Sequence, residues 1–325
     1  MIRVYFYYQL KPLIPKRIRM GVRRWLALRK RRLFRDVWPI LESTGRAPEG
    51  WCGWPEGKKF ALVLTHDVES AQGVDRVREL AEIEMSLGFR SSFNFIPEGD
   101  YDVPEGLRRW LEDNGFEVGV HDHRHDGKLY HSWNNFQASA ERINQALREW
   151  NAVGFRSGFM MRNLNWIQEL DILYDSSTFD TDPFEPQPDG AGTIFPFWVE
   201  GANGCGFMEL PYTMAQDSTL FIVLRERSID IWKRKLQWIA SRSGMALLDV
   251  HPDYMAFVGA VPGWNQYPAG LYREFLEWVN RNYDGQHYHA LPRDLSAFCR
   301  RAGMGGRGRL PETDSVRRAD RASER

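Results

Sequence analysis

Glu117-Val118-Gly119-Val120-His121-Asp122-His123-Arg124-His125-Asp126-Gly127-Lys128-Leu129-Tyr130-His131 holds four of the chain's eight histidines. Residues 116–120 read as a short buried strand. The histidines therefore begin where a strand ends, the usual place for functional groups in an α/β protein. If the chain turns helical there, His121 and His125 lie one turn apart on one face. Two imidazoles at that spacing can grip one metal ion if a third ligand comes from elsewhere. A solvated polar loop is the alternative, and alternating His with interleaved Asp weighs toward the metal.

The same pattern repeats on both sides. Upstream, residues 60–64 are a continuous apolar run that ends in Thr65-His66-Asp67-Val68-Glu69, a buried strand with carboxylates at its carboxyl end. Helical periodicity follows over 74–87, a strand over 92–96 and a helix over 104–113. Downstream, residues 136–150 form an amphipathic helix with Ile143 and Leu147 on one face. A short strand over 154–156, a helix over 164–170 and a strand over 172–175 come next. A Pro-, Gly- and Asp-rich stretch, 181–192, reads as an excursion over the site. Strands at 207–212 and 245–250 flank a helix at 229–241, and the second ends in His251-Pro252-Asp253. A helix over 271–282 and a strand over 287–291 complete the series. Such alternation over roughly 240 residues predicts a parallel sheet. About seven units favour a closed or nearly closed barrel, whose reactive groups collect at the carboxyl ends of the strands. Asp67, Glu69, His121, His125, Arg156, Asp175 and His251 all fall there.

The 325 residues carry 43 basic and 43 acidic side chains. That balance hides an asymmetry: residues 1–35 contain 12 Lys or Arg and no Asp or Glu, which leaves 31 basic against 43 acidic residues in the rest. Ile18, Val22 and Trp25 fall at helical spacing among the arginines, after Val4 to Tyr8, Pro12 and Pro15. A basic amphipathic helix can lie on an anionic membrane. The alternative is a helix packed on the acidic body. Nucleic acid is not expected, because the basic residues are confined to the arm. No early run of 18 apolar residues spans a bilayer, and no secretory leader is apparent. Cys52, Cys205 and Cys299 are too far apart for a zinc cluster and odd in number, which points to a reducing compartment. The expected location is cytoplasmic, with peripheral contact at the inner face of the membrane. The expected organisation is a basic arm and linker over 1–45, a barrel over 46–302 and a disordered tail over 303–325. Within it, 42–59 reads as a Gly-, Pro- and Trp-rich linker.

Taken in order, these residues resemble the polysaccharide deacetylase family, the carbohydrate esterases of family four, over roughly residues 59–291. The family's Thr-Phe-Asp-Asp motif is met by Thr65-His66-Asp67-Val68-Glu69. Its His pair is met by His121 and His125, and its Arg motif by Arg156-Ser157-Gly158. Its Asp near a strand end falls within Tyr174-Asp175-Ser176-Ser177. Its Leu-rich strand ending in His is met by Leu247-Leu248-Asp249-Val250-His251. Two departures stand out. Val68 replaces the second Asp, and Gly158 replaces a proline, which would loosen the groove wall. Strand alternation puts Asp67 and Glu69 on one side and Val68 on the other, so Glu69 can replace the missing ligand, as in family branches with Asp-x-Asp or Asp-x-Glu.

The resemblance implies a distorted (β/α) barrel that removes acyl groups, N-acetyl foremost, from an amino sugar or polysaccharide. It implies a divalent metal on Glu69, His121 and His125, zinc first, with cobalt, nickel or manganese as alternatives. Asp67 would be the base, Arg156 would hold it ionised, and His251 would protonate the leaving amine. Asp175 would keep His251 cationic, with Asp180 its rival. His66 and His123 read as supporting or structural residues, and His131, His287 and His289 as residues without chemistry. Trp133, Trp166, Phe197 and Trp198 could stack on sugar rings or simply fill the core. Two other functions stay open: hydrolysis of another non-peptide C–N bond, such as a cyclic amide, and a carbohydrate-binding or scaffold protein with a decayed site at the membrane surface.

Overall fold

The structure, a computed structural model, describes residues 16–201 and 205–304. In chain order its elements are α1 (Lys16–Leu33), β1 (Phe60–Val68), α2 (Ala71–Ser86), β2 (Ser92–Phe95), α3 (Glu105–Asp113), β3 (Glu117–His121), α4 (Trp133–Glu149), β4 (Gly154–Arg156), α5 (Leu164–Ile167), β5 (Tyr174–Asp175), β6 (Phe197–Glu200), β7 (Gly206–Glu209), α6 (Asp230–Ser241), β8 (Met245–Val250), β9 (Met255–Ala256), β10 (Tyr267–Pro268), α7 (Gly270–Tyr283), β11 (His287–His289) and α8 (Pro292–Cys299). Ser70 and Ser132 cap α2 and α4, accepting from the amides of Gly73 and Asn135. Each thereby satisfies an amide that a helix start leaves free.

β1 organises the sheet. Along one edge its residues Ala61 to His66 pair in parallel with β8. Along the other, β11 takes its first half and β2 its second. From β2 the sheet continues through β3, β4, β5 and β7, all parallel, and β6 returns antiparallel on β7. The sheet thus has nine strands where about seven were expected. The β6–β7 hairpin was not foreseen, because a short connection between strands leaves no room for a crossover helix and breaks the alternation. α8 was likewise not foreseen. Between β7 and β8 an irregular joint replaces the ladder: the amides of Thr213 and Met214 both donate to Leu247 O at 3.1 Å. The result is the distorted (β/α) barrel that the alternation implied.

The two faces of the strands meet different neighbours. Ala61 and Val63 of β1 share an interior cluster with Met245 and Leu247 of β8, Tyr174 of β5 and Met208 of β7. Leu62, Leu64 and Val68 lie in the cluster formed with the surrounding helices. The period of two continues past the apolar part. It places Thr65, Asp67 and Glu69 above Ala61 and Val63, and Asp249 and His251 above Met245 and Leu247.

Residues 42–59 are not a free connector. Trp54 is buried and its indole donates to Ser243 O at 2.8 Å, with Trp51 edge-on against it at 4.6 Å. α1 lies on the body through Ala27 and several basic side chains. Residues 1–15, and nearly all of the tail expected over 303–325, lie outside the described residues. Among the described residues no helix is long and apolar enough to cross a membrane.

Candidate active site

Parallel register brings the reactive groups together at the carboxyl ends of the strands. His121 is in register with Arg156, Asp67 with Asn94, and Thr65 with Asp249. Asp67 Oδ1 accepts from Asn94 Nδ2 at 2.9 Å and from Arg156 Nη1 at 3.3 Å. The Asn94 side chain fits beside β3 because residue 119 is glycine: a Cβ there would lie 2.2 Å from Asn94 Oδ1. Burial pushes the Asp67 carboxyl up, but Arg156, His121, His251 and the Asn94 hydrogen bond together hold it below its ordinary value.

Arg156 is fully buried and reaches three carboxyl-side partners through Nη1: Asp249 Oδ1 at 2.5 Å, Thr65 Oγ1 at 2.9 Å and Asp67 Oδ1. Its Nε and Nη2 donate to Ser176 O and Ser176 Oγ. Each of its three guanidinium nitrogens has a partner, so the buried positive charge is fixed in place.

Glu69, His121 and His125 each direct one donor atom into a common space, all within 4.8 Å of one another. The two imidazole rings lie 4.9 Å apart. His121 Nδ1 donates to Arg156 O at 3.1 Å, which leaves Nε2 as the free lone pair. The Nε2 of His125 lies 3.3 Å from Glu69 Oε1, while that of His121 is buried without a hydrogen-bond partner. Buried polar atoms are seldom left so. Two buried imidazole nitrogens and a carboxylate, converging, fit a divalent metal. Glu69 is anchored by the Tyr254 hydroxyl, 2.7 Å from Oε2, and by its own amide, which donates to Asp253 Oδ2. Burial pushes Glu69 up, yet His125, His251 and His121 hold it well below the ordinary carboxylate range.

The His pair meets by a different route from a helical turn. β3 stops at His121, and the chain reverses through Asp122 at φ 57° and His125 at φ 52°. Asp and His tolerate this left-handed region better than most residues. The Asp122 amide donates to Arg156 O at 2.8 Å and fixes the reversal. Gly158 makes the approach feasible, since a Cβ at that place would lie 2.2 Å from Asp122 Oδ2 and 2.7 Å from His125 Cδ2. The missing proline therefore marks close packing where a looser wall was expected. The Phe159 ring then stacks on His125 at 4.2 Å. Phe159 and Met160 both take positive φ, a strained pair held beside the site.

His251 lies across the mouth. Its Nδ1 is 2.7 Å from Asp217 Oδ1, and its amide donates to Asp217 Oδ2 at 2.9 Å. The Tyr267 hydroxyl donates to the same Oδ2. His251 Nε2 faces the centre, 3.9 Å from Glu69 Oε1 and 3.7 Å from Asp249 Oδ2. Burial pushes the imidazole down, but Asp217, Asp249 and Glu69 raise it well above its ordinary value.

Asp175 and Asp180 do not hold His251. Asp175 sits in register with Glu209 one strand further round and accepts from Ser177 Oγ at 2.6 Å. Asp180 pairs with the buried Lys235 at 2.6 Å. Asp217 takes the place assigned to Asp175, because the barrel curls and brings the segment after β7 against the end of β8. Three further residues of the site escaped the sequence reading. Asn94 and Asp249 are polar residues at inward positions of buried strands, a signal the alternation carries. Asp217 lies in no strand and gives no such signal. Burial pushes Asp249 up to about 7 against the opposing pull of Arg156.

The remaining histidines do other things. His66 points away from the site, its Nε2 2.8 Å from the buried Glu84 Oε1. His123 Nδ1 lies 3.1 Å from Ser139 Oγ, apart from the trio. His289 Nε2 accepts from the Arg90 amide. Trp133 and Trp166 stack edge to face at 5.5 Å within an aromatic cluster, and Trp198 lies under Arg300.

No family model matches the sequence, and no curated protein is recovered as its relative. The fold does have solved counterparts. A presumed polysaccharide deacetylase from Mycobacterium smegmatis matches 83% of this chain and 99% of its own, with TM-score 0.61 and 20% identity. Looser matches include a peptidoglycan deacetylase from Bacillus subtilis (TM-score 0.45, 10% identity, 77% of this chain and 96% of that one). Another is the carbohydrate esterase domain of a xylanase from the hindgut metagenome of Trinervitermes trinervoides (0.44, 13%, 75% and 91%). The chain shares the fold of the presumed polysaccharide deacetylase from Mycobacterium smegmatis.

Proposed function

We propose that the chain is a metal-dependent hydrolase that removes an acyl group, N-acetyl foremost, from an amino sugar or a polysaccharide intermediate. One observation carries the reading: a buried acid beside Arg156 and an imidazole beside Asp217 lie within 4.8 Å of each other, next to the converging donor atoms of Glu69, His121 and His125. A divalent ion held by Glu69, His121 and His125, zinc foremost with cobalt, nickel or manganese as alternatives, would polarise the acyl carbonyl and acidify the attacking water. Asp67 accepts the proton as the water oxygen bonds to the carbonyl carbon. His251 Nε2 donates its proton to the nitrogen as the C–N bond breaks, which yields the free carboxylate and the amine. Arg156 keeps Asp67 ionised between turnovers.

The sugar as substrate rests on the resemblance in motifs and fold. A decayed site gains no support here, because Glu69 stands where the family's second carboxylate is missing. The test is acetate release from a panel of N-acetyl sugars and oligosaccharides, read alongside cyclic amides. Acetate from at least one sugar, lost in Asp67→Asn, is the expected result. Turnover of cyclic amides alone would move the protein to the other class of C–N hydrolase.

A further inference from the structure

Among the described residues eleven large apolar side chains are exposed, and nine of them lie on two segments. Six are on α1. Of these, Ile18, Val22, Trp25 and Leu33 follow helical spacing along one face, Trp25 being 61% exposed. The other three, Val258, Val261 and Trp264, lie on the loop between β9 and β10, the two valines almost wholly in solvent at 107% and 90%.

The opposite side of α1 is committed to the body, which fixes the stripe outward. Ala27 is buried. Arg24 Nε donates to Ile222 O at 3.0 Å, Lys30 Nζ to Pro183 O at 2.6 Å, and Arg31 pairs with Glu226. Arg24 Nη2 also donates to Trp264 O at 3.4 Å, so the loop adjoins the helix. α1 holds nine Lys or Arg and no acidic residue, with Arg23, Arg29 and Arg32 exposed.

We propose that α1 and the β9–β10 loop together dock the protein on an anionic lipid surface. An apolar stripe flanked only by cations is what a helix lying in a charged membrane interface presents. Charge decides among the occupants. A second copy would bring the like charges of its own Arg23, Arg29 and Arg32 against these, whereas an anionic leaflet supplies the complement at about fivefold in affinity per arginine. The docking face borders the candidate site. Tyr254, which holds Glu69, lies immediately before β9 and so before the loop. A glycan presented at a lipid surface would thus reach the mouth of the barrel.

The full chain is mixed with vesicles of phosphatidylcholine alone and of phosphatidylcholine with phosphatidylglycerol, and bound protein is measured by flotation at low and high salt. Binding is expected only with the anionic lipid and should weaken with salt. V22S/W25S should lower it by about tenfold or more. R29Q/R32Q should lower it by about 25-fold, and V258S/V261S severalfold. These side chains are exposed, so far-UV circular dichroism should stay as in the wild type. Equal binding to both vesicles, or no effect of V22S/W25S, overturns the proposal. A wild-type dimer dispersed by V22S/W25S, without vesicle binding, assigns the stripe to a second copy and overturns it too. Unchanged binding of V258S/V261S removes the loop from the docking face. None of these readouts depends on hydrolytic activity.

Discussion

Asp217 Oδ1 lies 2.7 Å from His251 Nδ1, while Asp217 Oδ2 takes the His251 amide and the Tyr267 hydroxyl. With the Ser218 amide donating to Oδ1 at 2.7 Å, the carboxylate is fixed at three points besides the imidazole. It orients Nε2 toward the centre and favours the charged ring that must give up a proton.

The basic limb of the pH–rate profile should report His251. Asp217→Asn removes the charge that raises it, so that limb should move to lower pH by about one unit or more. Asp175→Asn should leave it in place, since Asp175 is bound to Ser177 and Glu209 instead. A limb that moves in Asp175→Asn and stays in Asp217→Asn would reverse the assignment.

The two carboxylates at the end of β1 should separate cleanly. Glu69→Gln should weaken metal binding, because it replaces the only carboxylate in the converging trio. Asp67→Asn should keep the metal and lose about 10²- to 10⁴-fold in kcat, the usual worth of a general base. Metal lost in Asp67→Asn and kept in Glu69→Gln would exchange the roles.

Glu117 offers a prediction about stability at the far end of β3. It is buried, accepts from Tyr174 and from the Arg293 amide, and is pushed by burial up to about 7. Because the folded value is raised, the fold favours the protonated acid. That contribution is complete below the ordinary glutamate range and is lost as pH rises through about 7. Between about pH 4 and pH 8 the stability of wild type relative to Glu117→Gln should fall by about 3 kcal/mol, read by denaturant unfolding at each pH. A constant difference across that range would show that Glu117 ionises freely in the folded protein.

Much of the fold was legible because the interior of a barrel obeys a period of two. Ala61, Val63, Thr65, Asp67 and Glu69 step up one face of β1, and Met245, Leu247, Asp249 and His251 up one face of β8. The same rule marks Asn94 and Asp249, polar residues at inward positions of buried strands. The His pair was legible by spacing, although the geometry that joins it was not. Left-handed turns at Asp122 and His125 are set by contacts with Arg156 of β4 and Gly158 just after it. Asp217 was illegible for a similar reason: its position follows from the closure of the barrel. On α1 the periodicity showed an amphipathic helix. Which basic residues reach the body and which apolar ones face solvent became visible only with Ile222, Pro183 and Glu226 in place.

The central claim is that one divalent ion at Glu69, His121 and His125 supports acyl hydrolysis. The most direct measurement is metal content of the purified protein together with acetate release from N-acetyl oligosaccharides, in wild type and in the His121→Ala, His125→Ala double variant. About one equivalent of metal and measurable acetate in the wild type, with both lost in the double variant, is the predicted result. Full metal content or undiminished acetate release in the double variant would contradict it.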